Sequence, residues 1–122
     1  LGSDEVTFGL SAESRSAFAA GTQEFLNAAS YALGASAGDN LKRGAVVAPY
    51  LHATQADVIQ EGRRLGAPLA DTWSCLRSRP LHCGTCPGCV FRQASFADAD
   101  AKLSNKAQAA LGGDPTRYAT RA

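Results

Sequence analysis

The four cysteines of the chain fall within fifteen consecutive positions, Cys75, Cys83, Cys86 and Cys89, in the spacing C-x7-C-x2-C-x2-C. A C-x2-C step lets two thiolates face one ion from a tight turn, and Gly84 and Gly88 relieve the backbone between them. Four thiolates complete the shell of a tetrahedral zinc ion with no open position, which marks a structural rather than a catalytic site. Such an ion contributes folding free energy directly. Three other chemistries use the same residues. Two disulfides would suit a secreted chain, but no charged–apolar–small export pattern is visible. An iron–sulfur cluster also uses C-x2-C-x2-C, with its further cysteine downstream, whereas here it lies upstream. Buried free thiols are the last alternative. His82, next to Cys83, is a further candidate ligand, but four sulfurs already fill the shell. His82 and His52 are therefore read as surface residues or as neighbours of the site.

A metal staple would answer a shortage of apolar residues. Hydrophobic residues make up 45% of the 122, but 24 of them are alanine, and Leu, Val, Ile and Phe together number only 23. That is thin for a self-sufficient core. The net charge of +1 argues against disorder and against a bulk nucleic-acid binder. No apolar run approaches the roughly 18 residues of a membrane span. The length allows one domain, and the start at Leu1 with no methionine leads to the expectation of an excerpt from a longer protein.

Hydrophobic patterning predicts an α/β chain. Leu1-Gly2 reads as the tail of a helix with a glycine stop. Val6 to Leu10 reads as a short strand with alternating apolar residues, and Ser11 to Gly21 as a polar loop. Thr22 caps an expected helix from Gln23 to about Leu33, with Phe25, Ala29, Ala32 and Leu33 on one face, followed by a mobile loop from Gly34 to Asn40. Ala45 to Ala48 is an unbroken apolar strand, expected to be buried on both faces and ended by Pro49. Thr54 caps a helix running to Leu65, with Val58, Gly62 and Leu65 inward and Gly66 as its stop. This alternation implies parallel strands. Two strands are too few for a stable sheet alone. The tail from Asp98 holds a short helix, Ser104 to Leu111, then a turn at Gly112-Gly113-Asp114-Pro115.

Several motifs carry a resemblance to a known family. They are Asp71-Thr72-Trp73-Ser74-Cys75, then His82-Cys83-Gly84-Thr85-Cys86-Pro87-Gly88-Cys89-Val90-Phe91-Arg92, Ala94-Ser95-Phe96, and Asp114-Pro115-Thr116-Arg117-Tyr118. In that order they resemble the C-terminal half of the QueC family, 7-cyano-7-deazaguanine synthases of queuosine biosynthesis. Its pattern is T-W-S-C, C-G-x-C-x-x-C-x-x-R, then D-P-T-x-Y. Ala12 to Phe18, Glu24-Phe25, Ala48-Pro49 and Thr54 to Leu69 resemble the same family. The resemblance implies an adenine nucleotide α-hydrolase-like (PP-loop) fold, seen here as a partial parallel sheet in residues 1–70, with a four-cysteine zinc-binding region and C-terminal helices in 71–122. It implies an ATP- and magnesium-dependent ligase that adenylates 7-carboxy-7-deazaguanine, lets ammonia displace AMP, and dehydrates the amide to a nitrile with a second ATP. The family's S-G-G-x-D-S phosphate loop has no counterpart in these residues, so the excerpt alone is not expected to be active, and the N-terminal half of the same protein is its first expected partner. The resemblance places Glu13, Arg15, Ser16, Phe18, Glu24, Phe25, Trp73, Ser74 and Arg92 beside the substrate, and zinc on the four cysteines. A cytoplasmic location and a homodimer are the accompanying expectations.

The chain also departs from the family. Ala20-Gly21-Thr22-Gln23 replaces an Asp-Cys-Arg-Pro stretch, Gln55 stands where a lysine is usual, and extra residues separate Phe96 from Asp114. Lost charges of this kind remove strong charge-assisted bonds. They favour an alternative, a QueC-like paralogue of anti-phage defence that directs deazaguanine chemistry to a protein amino terminus. A third reading, from another class, is a non-catalytic zinc module that binds protein or nucleic acid through Arg77, Arg79 and Arg92. Trp73 is read either as a stacking surface for a flat heterocycle or as a core aromatic. Arg92 is read as a partner for a carboxylate or as a clamp on backbone carbonyls beside the metal loop.

Overall fold

The computed structural model describes residues 5–18, 20–37 and 46–119. The Leu1-Gly2 helix tail, Ala45, the end of the expected loop at 38–40 and the last residues of the tail lie outside them. The chain forms two compact units, Leu1–Gln55 and Ala56–Ala122. Most of the helix after Thr54, assigned above to the α/β portion, falls in the second unit.

The first unit holds strand β1 (Val6–Thr7), the short helix α1 (Ser14–Ala17), helix α2 (Gln23–Ala37) and strand β2 (Val46–Val47). The strands pair in parallel, Val6 opposite Val46 and Thr7 opposite Val47, as the alternation of elements predicts. The Phe8 amide adds a bond to the Val47 carbonyl at 2.8 Å. Both strands are shorter than expected, and β1 is exposed on both faces. Thr22 does cap α2, its hydroxyl oxygen accepting the Phe25 amide at 3.2 Å. The helix runs through Gly34 to Ala37, where a loop was expected.

The inward face of α2 is partly turned from the expected one: Ala29 packs against the core as expected, but Ala32 is exposed. Leu26 is 2% exposed and packs with Val46 and Leu51, while Phe25 and Leu33 are exposed. A polar contact fixes this rotation. The Ser30 hydroxyl donates to the Val46 carbonyl and accepts the Val46 amide at 3.1 Å, so residues 26 and 30 face the strand. Val46 is buried, whereas Val47 and Ala48 are only half-buried, so the two-sided burial expected of this strand is not reached.

The second unit contains α3 (Gln55–Arg64), apart from its first residue, a 3-10 turn at Leu69–Asp71, α4 (Pro87–Ala101) and α5 (Asn105–Leu111). Gly66, at φ +68°, stops α3 as expected. The Ala67 amide bonds the Gly62 carbonyl and the Gly66 amide the Arg63 carbonyl, a Schellman closure. The buried residues of α3 are Ala56 and Ile59, whereas Leu65 is exposed. Arg63 takes the next inward turn, with its guanidinium 5.5 Å from the Phe96 ring and 2.8 Å from Asp100. The apolar core of the unit is small: Ala56, Ile59, Phe96 and Ala99, with Leu69 against them. Helix α5 matches its expected range, with Ser104 accepting the Ala107 amide at 3.4 Å.

Candidate metal centre

The segment between the 3-10 turn and α4 brings all four cysteines together. Cys75, Cys83, Cys86 and Cys89 are buried, unpaired by disulfides, and their sulfurs lie within 4.8 Å of one another. Cys86 precedes α4 in an extended conformation, and Pro87 begins the helix, where a missing amide hydrogen costs nothing. Cys89 therefore projects from the first turn of a helix, while Cys83 and Cys86 flank a tight loop and Cys75 approaches from a separate irregular segment.

The geometry is that of a four-sulfur shell. The Cys83–Cys89 and Cys86–Cys75 sulfur separations are 3.9 and 4.0 Å. A tetrahedron of metal–sulfur bonds of about 2.3 Å has edges of about 3.8 Å, whereas a disulfide needs about 2.05 Å. Amide hydrogens point at the sulfurs: Leu76 N–H at Cys86 and Arg77 N–H at Cys75, both 3.4 Å, and Cys86 N–H at Cys83, 3.3 Å. Such donors favour thiolate over thiol. The Thr85 amide, opposed by burial, leads the contacts that hold the Cys83 thiol down to about 5, while burial pushes Cys89 up to about 12. Four thiolates at this spacing would repel one another, and a cation at their centre would remove that conflict. The cluster could therefore hold a metal ion, and the expected ligands are the residues found together.

His82 sits beside this shell without entering it. It is 3% exposed, its Nε2 accepts the Ser74 amide at 3.1 Å, and its ring lies 4.2 Å from that of Trp73. His52 is exposed. Gly88 is required by close approach, because a Cβ built there would fall on the Ser74 carbonyl. That carbonyl lies in the main chain one residue before Cys75 and has little freedom to yield. Gly88→Ala should destabilise the metal-loaded protein by roughly 3 kcal/mol, at the upper end of overpacking costs, measurable as a fall in its urea midpoint.

The expected substrate residues divide between the units. In the first, Glu13 is engaged within the protein: its carboxylate accepts the Ser11 hydroxyl at 2.8 Å and the Gln55 amide at 3.0 and 3.1 Å. Arg15, Ser16, Phe18 and Glu24 are exposed, and Phe25 meets the Phe8 ring edge-on at 6.5 Å. In the second, Trp73 is 53% exposed and anchored by its indole N–H on the Cys75 carbonyl at 2.9 Å.

Arg92 is 7% exposed and bonded entirely to protein. Its Nε meets Asp114 at 3.2 Å, Nη1 meets the Thr72 hydroxyl at 2.8 Å and Ser74 at 3.4 Å, and Nη2 meets the Leu69 carbonyl at 2.9 Å. Its carboxylate partner is Asp114 of the protein itself, and the carbonyl it holds is that of Leu69, in the 3-10 turn rather than in the cysteine loop. In the sequence alone Asp114, Thr72 and Tyr118 are motif residues without an assigned role. Here Asp114 also accepts the Thr116 amide at 3.0 Å and the Tyr118 hydroxyl. Burial works to raise the Asp114 carboxyl, but the bonds from Thr116 and Tyr118 and the Arg92 charge outweigh it and hold it below the usual range.

Residues 1–100 match the family described as Queuosine biosynthesis protein QueC. A 7-cyano-7-deazaguanine synthase from Paracoccus denitrificans is 41% identical over 58 residues, 48% of this chain and 25% of that protein. One from Brucella anthropi is 47% identical over 51 residues, 42% of this chain and 22% of that protein. The 7-cyano-7-deazaguanine synthase 1 of Sphingopyxis alaskensis is 41% identical over 90 residues, 72% of this chain and 35% of that protein. The chain thus spans between about a fifth and about a third of the length of these relatives. No solved structure matches it.

Proposed function

The chain belongs to the QueC family, and on that premise we propose that it forms the C-terminal portion of an ATP-dependent enzyme that converts 7-carboxy-7-deazaguanine to its amide and nitrile. The observation that supports this reading is the family match over residues 1–100, which takes in all four cysteines and Arg92. In this reading the rest of a PP-loop fold, with its phosphate loop, ATP and magnesium, comes from the N-terminal half of the same protein. Zinc is held by Cys75, Cys83, Cys86 and Cys89 and supplies folding energy, not chemistry, because its shell is closed. Trp73 offers its exposed face to the flat heterocycle, and the Glu13 to Phe18 turn with Glu24 and Phe25 is the first unit's candidate contact. Ser74 and Arg92 fix the Trp73 segment. The reading places the protein in the cytoplasm as a homodimer. Among the described residues, no helix is long and apolar enough to cross a membrane.

The test uses the full-length polypeptide in metal-replete form. 7-Carboxy-7-deazaguanine should stimulate AMP release from ATP and yield the nitrile by mass spectrometry, and Trp73→Ala should raise KM roughly ten-fold through lost stacking. No stimulation would overturn the reading. Ala20, Thr22 and Gln55, standing where the family carries charge, favour a second one: AMP release with the deazaguanine joined to a protein amine would assign the chain to defence chemistry. Salt-sensitive RNA binding without any AMP release would instead indicate a non-catalytic zinc module using Arg77 and Arg79, both exposed.

A further inference from the structure

We propose that the segment Asp114–Ala119 is a strap across the cysteine loop that sets how fast a bound metal leaves it. This rests on the reading of the cluster as a metal site. The last ligand is Cys89, yet the chain returns to the site after α4 and α5. The His82 amide bonds the Arg117 carbonyl at 3.3 Å, and the Ala119 amide bonds the His82 carbonyl at 2.8 Å. His82 and Tyr118 thus form a single parallel bridge immediately before Cys83. The Tyr118 side chain packs against the four cysteines, with its ring 5.7 Å from that of His82. It also lies over Gly84, where an added Cβ would stand 3.5 Å from its Cδ1.

The strap is locked from its other end. The Tyr118 hydroxyl donates to Asp114 Oδ2, and Asp114 Oδ1 is held by Arg92, which projects from the same helix as Cys89. A chelator must detach thiolates one at a time. Release of Cys83 needs the Cys83–Cys86 loop to swing out, and two backbone bonds and one aromatic ring oppose that swing. Opening the strap breaks only these few contacts, so it is a local event rather than global unfolding.

The experiment is cobalt release. The protein is loaded with Co(II), its thiolate-to-cobalt absorption is recorded, and excess EDTA is added. Tyr118→Ala and Ala119→Pro, which remove the ring and the amide donor respectively, should release cobalt roughly 10- to 100-fold faster. Lys106→Ala, on the exposed side of α5, should match the parent. If Tyr118→Ala takes up no cobalt, Tyr118→Phe, which removes only the hydroxyl, should still release about five-fold faster. Variants with the absorption band intact and parental release rates overturn the strap and leave the metal reading standing. A parent protein that binds no Co(II) overturns both.

Discussion

The Cys89→Ser variant is expected to lose tetrahedral metal binding and to unfold the second unit at room temperature. Cys89 is fully buried. Serine there offers a poor ligand whose hydroxyl would be left without a partner among three thiolates. The loss matters because little else holds this unit together. Its apolar core is two large side chains, Ile59 and Phe96, and two alanines. Each large side chain contributes about 1.5–3 kcal/mol on burial. A structural zinc site contributes roughly 10–16 kcal/mol, several times what either of those side chains supplies and comparable to the whole net stability of an ordinary domain. Chelation of the parent protein should have the same effect. Circular dichroism and thermal melts before and after metal removal, with metal content checked by elemental analysis, read the outcome. A melting curve indifferent to verified metal loss would remove the structural role of the cluster.

The cysteine shell was legible because it depends on residue identity and short spacing alone. The Thr22 cap, the Gly66 stop and the α5 range were legible for a similar reason: each signal lies within four residues of what it governs. What escaped was set by partners far along the chain. Glu13 reads as a substrate carboxylate, but its bonds go to Ser11 and Gln55, and the second of these depends on how the chain folds back. The face of α2 follows Ser30, a polar residue that periodicity counts as outward. Arg63 and Arg92 occupy inward turns of α3 and α4, and a hydrophobic pattern discards an arginine at such positions. Helix α4 was obscured in the same way, since its buried face is Cys89, Arg92, Ser95, Phe96 and Ala99. Three of those five are not residues that mark an apolar stripe.

Arg92→Leu should also be damaging, at roughly 3 kcal/mol, though less so than loss of a cysteine, because it leaves a half-buried carboxylate without its cation. The guanidinium meets groups spread over residues 69, 72, 74 and 114, and its planar fork is what reaches them all. Arg92→Lys keeps the charge but cannot span that spread, so it should recover only part of the loss. The double variant Arg92→Leu/Asp114→Asn should be less destabilised than the sum of its single variants, since the unpaired charge is gone. The ion pair also has a pH signature. With its carboxyl held below the ordinary range, Asp114 contributes stability that is present above that range and lost as pH falls through the lowered value. The difference in urea midpoint between the parent and Asp114→Asn should therefore shrink in acid. These measurements also decide what Arg92 is for. A residue reserved for substrate can be removed with little effect on the folded protein, so an Arg92→Leu midpoint close to the parent's would return the side chain to the substrate pocket. A collapse of stability, with partial rescue in the double variant, would fix it as the residue that ties the Trp73 segment, the metal helix and the Asp114 strap together.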